Sequence, residues 1–214
     1  MRFSTVALML SSLSLIACGG DDGDSVTPQI DAPAADIDAA PIACTISTSS
    51  FGDKGALTGT AIFAPDNGVD TTDMGAIDDV LTFVALRETG EPADAVQVDL
   101  YAGYGVFPGA ITQGTYTLSG DELDFATCGA CVRIFTNVTA AGADDGIYMP
   151  TGGTLTVTTA GTAVGGTLTG SISNLTFHHV ELDQDGNTTP AADAATCTST
   201  MSNATFTGTL EAAQ

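Results

Sequence analysis

Short apolar runs with a period of two constrain this chain more than any other feature. In residues 153–159, Leu155 and Val157 alternate with threonines. Val96, Val98 and Leu100 alternate with Gln97, Asp99 and Tyr101, and Tyr116 and Leu118 alternate with Thr115 and Thr117. Successive side chains of an extended strand point to opposite faces, so each run builds one apolar and one polar face. Antiparallel sheets with one wet surface have this pattern. The runs are rich in Thr, Val and Ile, and Gly, Asp, Asn and Pro punctuate them. Strands are expected near 44–49, 57–63, 80–86, 95–101, 114–119, 132–138, 153–159, 166–182 and 198–210. No stretch sustains the 3.6-residue helical period, and residues 74–79 offer one turn. The spacing predicts an all-β fold, an antiparallel β-sandwich of jelly-roll or immunoglobulin-like kind.

The run 166–182 is long and slips in phase. Leu168 and Ile172 are even, Leu175 and Phe177 odd, Val180 and Leu182 even again. One unbroken period of two cannot bury them all. Bulges at Ser173-Asn174 and at His178-His179 would restore the register. The last run echoes the first slip: Ile172-Ser-Asn-Leu-Thr-Phe177 matches Met201-Ser-Asn-Ala-Thr-Phe206. Both strands are therefore expected to bulge alike.

The N-terminus belongs to targeting rather than to the fold. One basic residue, Arg2, precedes an uncharged apolar stretch from Phe3 to Ile16, which ends in Leu15-Ile16-Ala17-Cys18. The stretch is shorter than the ~20 residues a membrane-spanning helix needs. Its layout resembles the signal of bacterial lipoproteins. That resemblance implies cleavage before Cys18, acylation of its thiol and a membrane anchor held by lipid. Gly19, rather than Asp, after the lipid-bearing Cys implies passage to the outer membrane of a Gram-negative envelope. Residues 19–43 contain GGDDGD and the run DAPAADIDAAP, without an aromatic residue or a hydrophobic period. Such a segment buries too little apolar surface to offset its ordering entropy, so residues 18–43 read as a disordered tether. One domain, 44–214, follows a signal peptide, 1–17, and that tether.

The chain has 26 acidic residues against four basic ones, a formal charge of −22. Only Lys54, Arg87 and Arg133 are basic beyond Arg2. This balance excludes nucleic acid, whose phosphates need clustered Lys and Arg. It also excludes electrostatic docking on anionic lipid. An acidic surface keeps an exported domain soluble and self-repelling.

Five cysteines become an even set once Cys18 carries lipid. Cys128-Gly-Ala-Cys131 invites a redox or zinc reading. A thioredoxin-like pair sits at a helix N-terminus, whereas Val132-Arg-Ile-Phe continues as strand. Zinc wants paired ligand spacings, and Cys44 and Cys197 are isolated. In an oxidising compartment two disulfides fit better. Three connectivities are open, and the preferred one joins Cys44 to Cys197 and Cys128 to Cys131.

Three other groups are candidate sites. Asp183-Gln-Asp185-Gly186-Asn187 resembles the start of a calcium loop, with Asp183, Asp185 and Asn187 as ligands. Its glycine comes one position early and the distal Glu is missing, so a turn is the expected structure. Asp66, Asp70, Asp73, Asp78 and Asp79 form a looser acidic set. His178 and His179, the sole histidines, are neighbours on a strand and point to opposite faces, and no GxSxG nucleophile signature accompanies them. Tyr101, Tyr104 and Phe107 are the densest aromatic cluster. Tyr101 and Tyr104 at a strand-to-loop junction suit ligand stacking, set against plain core packing.

Residues Thr127–Val132, Gly153–Val157 and Ser173–Phe177 resemble motifs of a group of uncharacterised bacterial lipoproteins. There a Thr-Cys-x-x-Cys-Val motif precedes a Gly-Thr-Leu strand and a Ser-Asn-x-Thr-Phe strand. The resemblance implies a β-rich envelope domain. The expected function is a lipid-anchored, non-enzymatic binding or surface-structural module without a cofactor, its partner an envelope protein or glycan. The alternatives are a calcium-dependent adhesion or carbohydrate-binding module and a secreted-type hydrolase.

Overall fold

The computed structural model describes residues 44–46, 50–65, 79–87, 92–139 and 146–213. The signal, the tether with Cys18, residues 47–49, the turn at 74–78 and Asp66, Asp70, Asp73 and Asp78 lie outside the described residues. Those described belong to one compact unit, Pro41–Gln214.

Ten strands follow in chain order: β1 Ser50–Leu57, β2 Thr60–Ala64, β3 Val80–Leu86, β4 Ala93–Tyr101, β5 Gly114–Thr117, β6 Ala130–Val138, β7 Gly146–Ala160, β8 Thr167–Leu182, β9 Thr188–Pro190 and β10 Thr198–Ala212. A single 3-10 turn, Gly120–Leu123, separates β5 from β6. The all-β expectation holds. Two separate antiparallel sheets do not appear, because hydrogen bonds join the strands into one mixed sheet.

That sheet closes on itself. Antiparallel pairings run β2–β3–β4–β6–β7–β8–β10. The far end of β10 then pairs with β2 in parallel, Leu210 opposite Ala61. The length of β10 allows this. One edge pairs with β8 from Thr198 to Thr209, while the other takes β1 in parallel and then β2. Closure gives the seven strands of the ring a common interior and removes most free edges. Every strand of the ring supplies residues to one apolar core, among them Ala61, Phe83, Val98, Ile134, Leu155, Phe177 and Phe206. Phe83 and Phe206 meet across it with ring centroids 5.3 Å apart.

The Ser-Asn slip is real and shared. Register between β8 and β10 is unchanged across it, Leu175 opposite Met201 and Ser173 opposite Asn203. Asn174 takes φ +55°, a left-handed conformation that Asn tolerates better than most residues. Both strands change phase together, so Ile172, Leu175, Ala204 and Met201 are all buried. The second expected bulge is absent. Phe177, His178, His179 and Val180 pair without interruption with Pro150, Met149, Tyr148 and Ile147. Val180 is buried instead on the opposite face, where Pro190 of β9 pairs with it.

Candidate functional site

The disulfides pair Cys44 with Cys197, 153 residues apart, and Cys128 with Cys131. The first ties the start of the domain to β10. The second folds the chain into a tight loop that runs into the start of β6, and this loop organises the site.

Glu122 holds that loop. Its carboxylate is 2% exposed and accepts hydrogen bonds from the backbone N–H groups of Val106 at 2.8 Å and Ala130 at 2.6 Å, with a longer one from Gly129. One buried acid therefore satisfies donors from two loops, a charge-assisted arrangement stronger than neutral pairing. The two glycines here are required. Gly105 has φ +46°, and a Cβ there would run into the Glu122 carboxylate. A Cβ on Gly129 would strike the Tyr104 carbonyl oxygen. The Tyr101 N–H donates to the Gly129 oxygen at 2.8 Å, and the Phe107 N–H to the Tyr104 oxygen at 2.7 Å. The end of β4 and the loop after it are thus locked against the disulfide loop, which positions Tyr101 and Tyr104.

A third ring, Phe125, comes from the segment after the 3-10 turn. Its N–H donates to Thr188 Oγ1 at 2.9 Å, while the Thr188 N–H donates to Asp124 Oδ1 at 2.8 Å. This reciprocal pair fastens the β8–β9 turn beside Phe125. The turn is built by Asp183, whose carboxylate accepts from the N–H groups of Asp185 and Asn187 and from Asn187 Nδ2 at 2.8 Å. These bonds, the Asn187 side chain foremost, hold the Asp183 carboxyl below the usual carboxylate range.

Together these elements line an open cavity of about 350 Å³, bordered among others by Tyr101, Tyr104, Phe125, Cys128, Asp185 and Gly186. Its size falls in the range of small-ligand sites. Tyr104 stands at 73° to Tyr101 with centroids 6.4 Å apart. Phe125 stands at 74° to Tyr101 at 6.3 Å. Burial, then the charge of Asp99, pushes the Tyr101 phenol up to about 12, so it stays a neutral donor.

Behind Phe125 lies a buried ion pair. Arg133 NH2 meets Asp99 Oδ2 at 2.6 Å, with exposures of 8% and 1%. The Arg133 guanidinium stacks 4.0 Å from the Phe125 centroid and 4.9 Å from that of Phe135. Asp99 also accepts from Thr82 Oγ1 and Gln97 Nε2. The face of β4 that looks polar in the sequence is therefore not wet at Asp99.

Both predicted ligand residues, Tyr101 and Tyr104, reach the cavity. Phe107 does not: it is buried in the core, edge-on to Tyr116 at 4.8 Å. Of the three calcium candidates, Asp183 and Asn187 bond to each other, and Asp185 alone lines the cavity. Among the described residues no group of three or more His, Cys, Asp or Glu is spaced to hold a metal ion. Sequence reasoning missed Phe125, Glu122 and Arg133. The signal for Arg133 was present, since a lone arginine inside the apolar strand CVRIF demands a buried partner.

The two histidines diverge, as the strand geometry requires. His179 stacks on Tyr148 with centroids 5.0 Å apart, and its Nδ1 lies 2.6 Å from Asp193 Oδ1. His178 Nδ1 is buried without a hydrogen-bond partner, as are Arg133 Nε and Ser199 Oγ. A second cavity, of about 300 Å³, sits over the paired bulges and is lined by Asn174, Thr176 and Ser202, with no charged or aromatic group. No family model, curated protein or solved structure matches this chain.

Proposed function

We propose that the protein is a lipid-anchored, non-enzymatic binding module of the cell envelope, tethered through Cys18 to the outer membrane, and that the cavity between Tyr101, Tyr104 and Phe125 is its binding site. The observation that carries the reading is the convergence of three aromatic side chains from two segments of the chain on one cavity of about 350 Å³. Rigid rings presented by a disulfide loop and a hydrogen-bonded turn suit a preformed site.

The calcium-dependent alternative has less support. The Asp183 carboxylate oxygens already accept three N–H donors, which are the lone pairs a cation would need. A hydrolase is disfavoured because His178 and His179 serve different faces of β8.

Two experiments test the proposal. Cys18→Ala is expected to move the protein from the membrane pellet to the soluble fraction, and an unchanged pellet would rule out the lipid anchor. Saturation-transfer NMR with a library of sugars, amino acids and amines is expected to give signals that vanish in Tyr104→Ala. Signals unaffected by that change, or none at all, would exclude the cavity as the site.

A further inference from the structure

The shape and charge of the cavity narrow what it can hold, given that it is the binding site. Three rings form its walls, two of them upright against the third at 73° and 74°. Three rings around one cavity can offer electron-rich faces to a guest, as the walls of a box do. A cation within about 6 Å of such faces is attracted by the ring quadrupoles. Phe125 already holds one cation in this way, the Arg133 guanidinium at 4.0 Å.

The charges around the mouth have one sign. The segments that form it, residues 101–110, 119–128 and 182–190, contain Asp121, Glu122, Asp124, Asp183 and Asp185 and neither Lys nor Arg. Glu122 is buried on backbone donors, and Asp183 and Asp124 are engaged in turns. Asp185 lines the cavity, is exposed, and its carboxylate accepts no hydrogen bond from the described residues. Arg133 is paired with Asp99 at 2.6 Å and stacks on Phe125 without lining the cavity. A neutral sugar would use the rings but leave the carboxylate idle. An anion would meet it at close range.

We propose that the cavity is an aromatic cage for an organic cation, an alkylated or quaternary ammonium group, with Tyr101, Tyr104 and Phe125 as its walls and Asp185 as the counter-ion. The recognition is by charge and ring faces rather than by hydroxyl hydrogen bonds. Tyr104 is 45% exposed, which leaves a wall of the box open for entry.

The test is calorimetric titration of the full-length chain in detergent with choline and with 3,3-dimethylbutan-1-ol, its uncharged isostere of the same shape. Choline is expected to bind at least about tenfold more tightly than the alcohol. Asp185→Asn is expected to weaken choline about fivefold and to leave the alcohol unchanged. Tyr104→Ala is expected to weaken choline about tenfold, while Tyr104→Phe stays within about threefold of wild type because the ring face is kept. Both positions are exposed, and melting curves confirm that the variants fold. Equal affinity for choline and the alcohol overturns the cation assignment. So does binding of neutral saccharides alone, although the cavity then remains a binding site. If amines, alcohol and saccharides all fail to bind, both the cage and the binding-module reading fall.

Discussion

His178 Nδ1 is a buried ring nitrogen without a partner, and burial lowers its pKa from the ordinary 6.5. Protonating it would place an N–H donor where no acceptor waits. Below pH 6.5 the unfolded chain therefore takes up a proton that the folded chain resists. The unfolded state then binds more protons, so stability falls as pH falls, and the contribution is complete above that value. Urea midpoints are expected to drop between pH 7.5 and pH 5.5, and His178→Gln is expected to flatten that drop. Tyr101 has the opposite sign. Its phenol ionises at about 12 rather than 10.0, so the stabilisation is present below pH 10 and is lost as pH rises through 12. An absorbance titration is expected to lose a component with a midpoint near 12 in Tyr101→Phe.

At the scale of single elements, the loop between β4 and the site depends on Glu122. Glu122→Ala leaves two buried N–H donors and one part-buried donor unsatisfied and is expected to cost about 2–4 kcal/mol in urea unfolding. Choline affinity is expected to fall with it, because Tyr104 loses its support. The strands themselves were largely legible: β3 spans Val80–Leu86, the bounds that its β-rich apolar run indicates. The first strand was not. Its sequence, SFGDKGAL, shows no period of two, because Gly52 and Gly55 take φ +60° and +58° and shift its register against β10. Pairing with a long neighbour outweighs weak intrinsic pattern there. Asp99 was read as facing water because alternation reports only the face, not what covers it. The ring of Phe125 and the charge of Arg133 cover it, and both come from segments that follow β4 by more than twenty residues. The Ser-Asn slip was visible because the apolar phase changes sharply, whereas Val180 misled because both faces of β8 bury residues near its end.

For the whole molecule, the two disulfides differ in what they restrain. The chain-entropy model gives about 5 kcal/mol for the loop closed by Cys44 and Cys197, and about 2 kcal/mol for the one closed by Cys128 and Cys131. The double replacement Cys44→Ser with Cys197→Ser is expected to lower the melting temperature well beyond the corresponding Cys128 and Cys131 pair. The second pair is expected to act locally, loosening Tyr101 and Tyr104 and weakening choline with a smaller thermal loss. A result in the reverse order would mean that the short loop, not the long one, restrains the unfolded chain.

The closing role of β10 sets the order in which the fold can form. A ribosome delivers residues in order, and β10 is the last strand of the ring to emerge. Until it arrives, β2 and β8 lack the partner that joins them, and Cys44 lacks Cys197. Contacts that span nearly the whole domain form slowly, since distant segments must meet first. Completion of the sheet is thereby postponed until β10 has emerged, and the ring stays open while the strands before it are made.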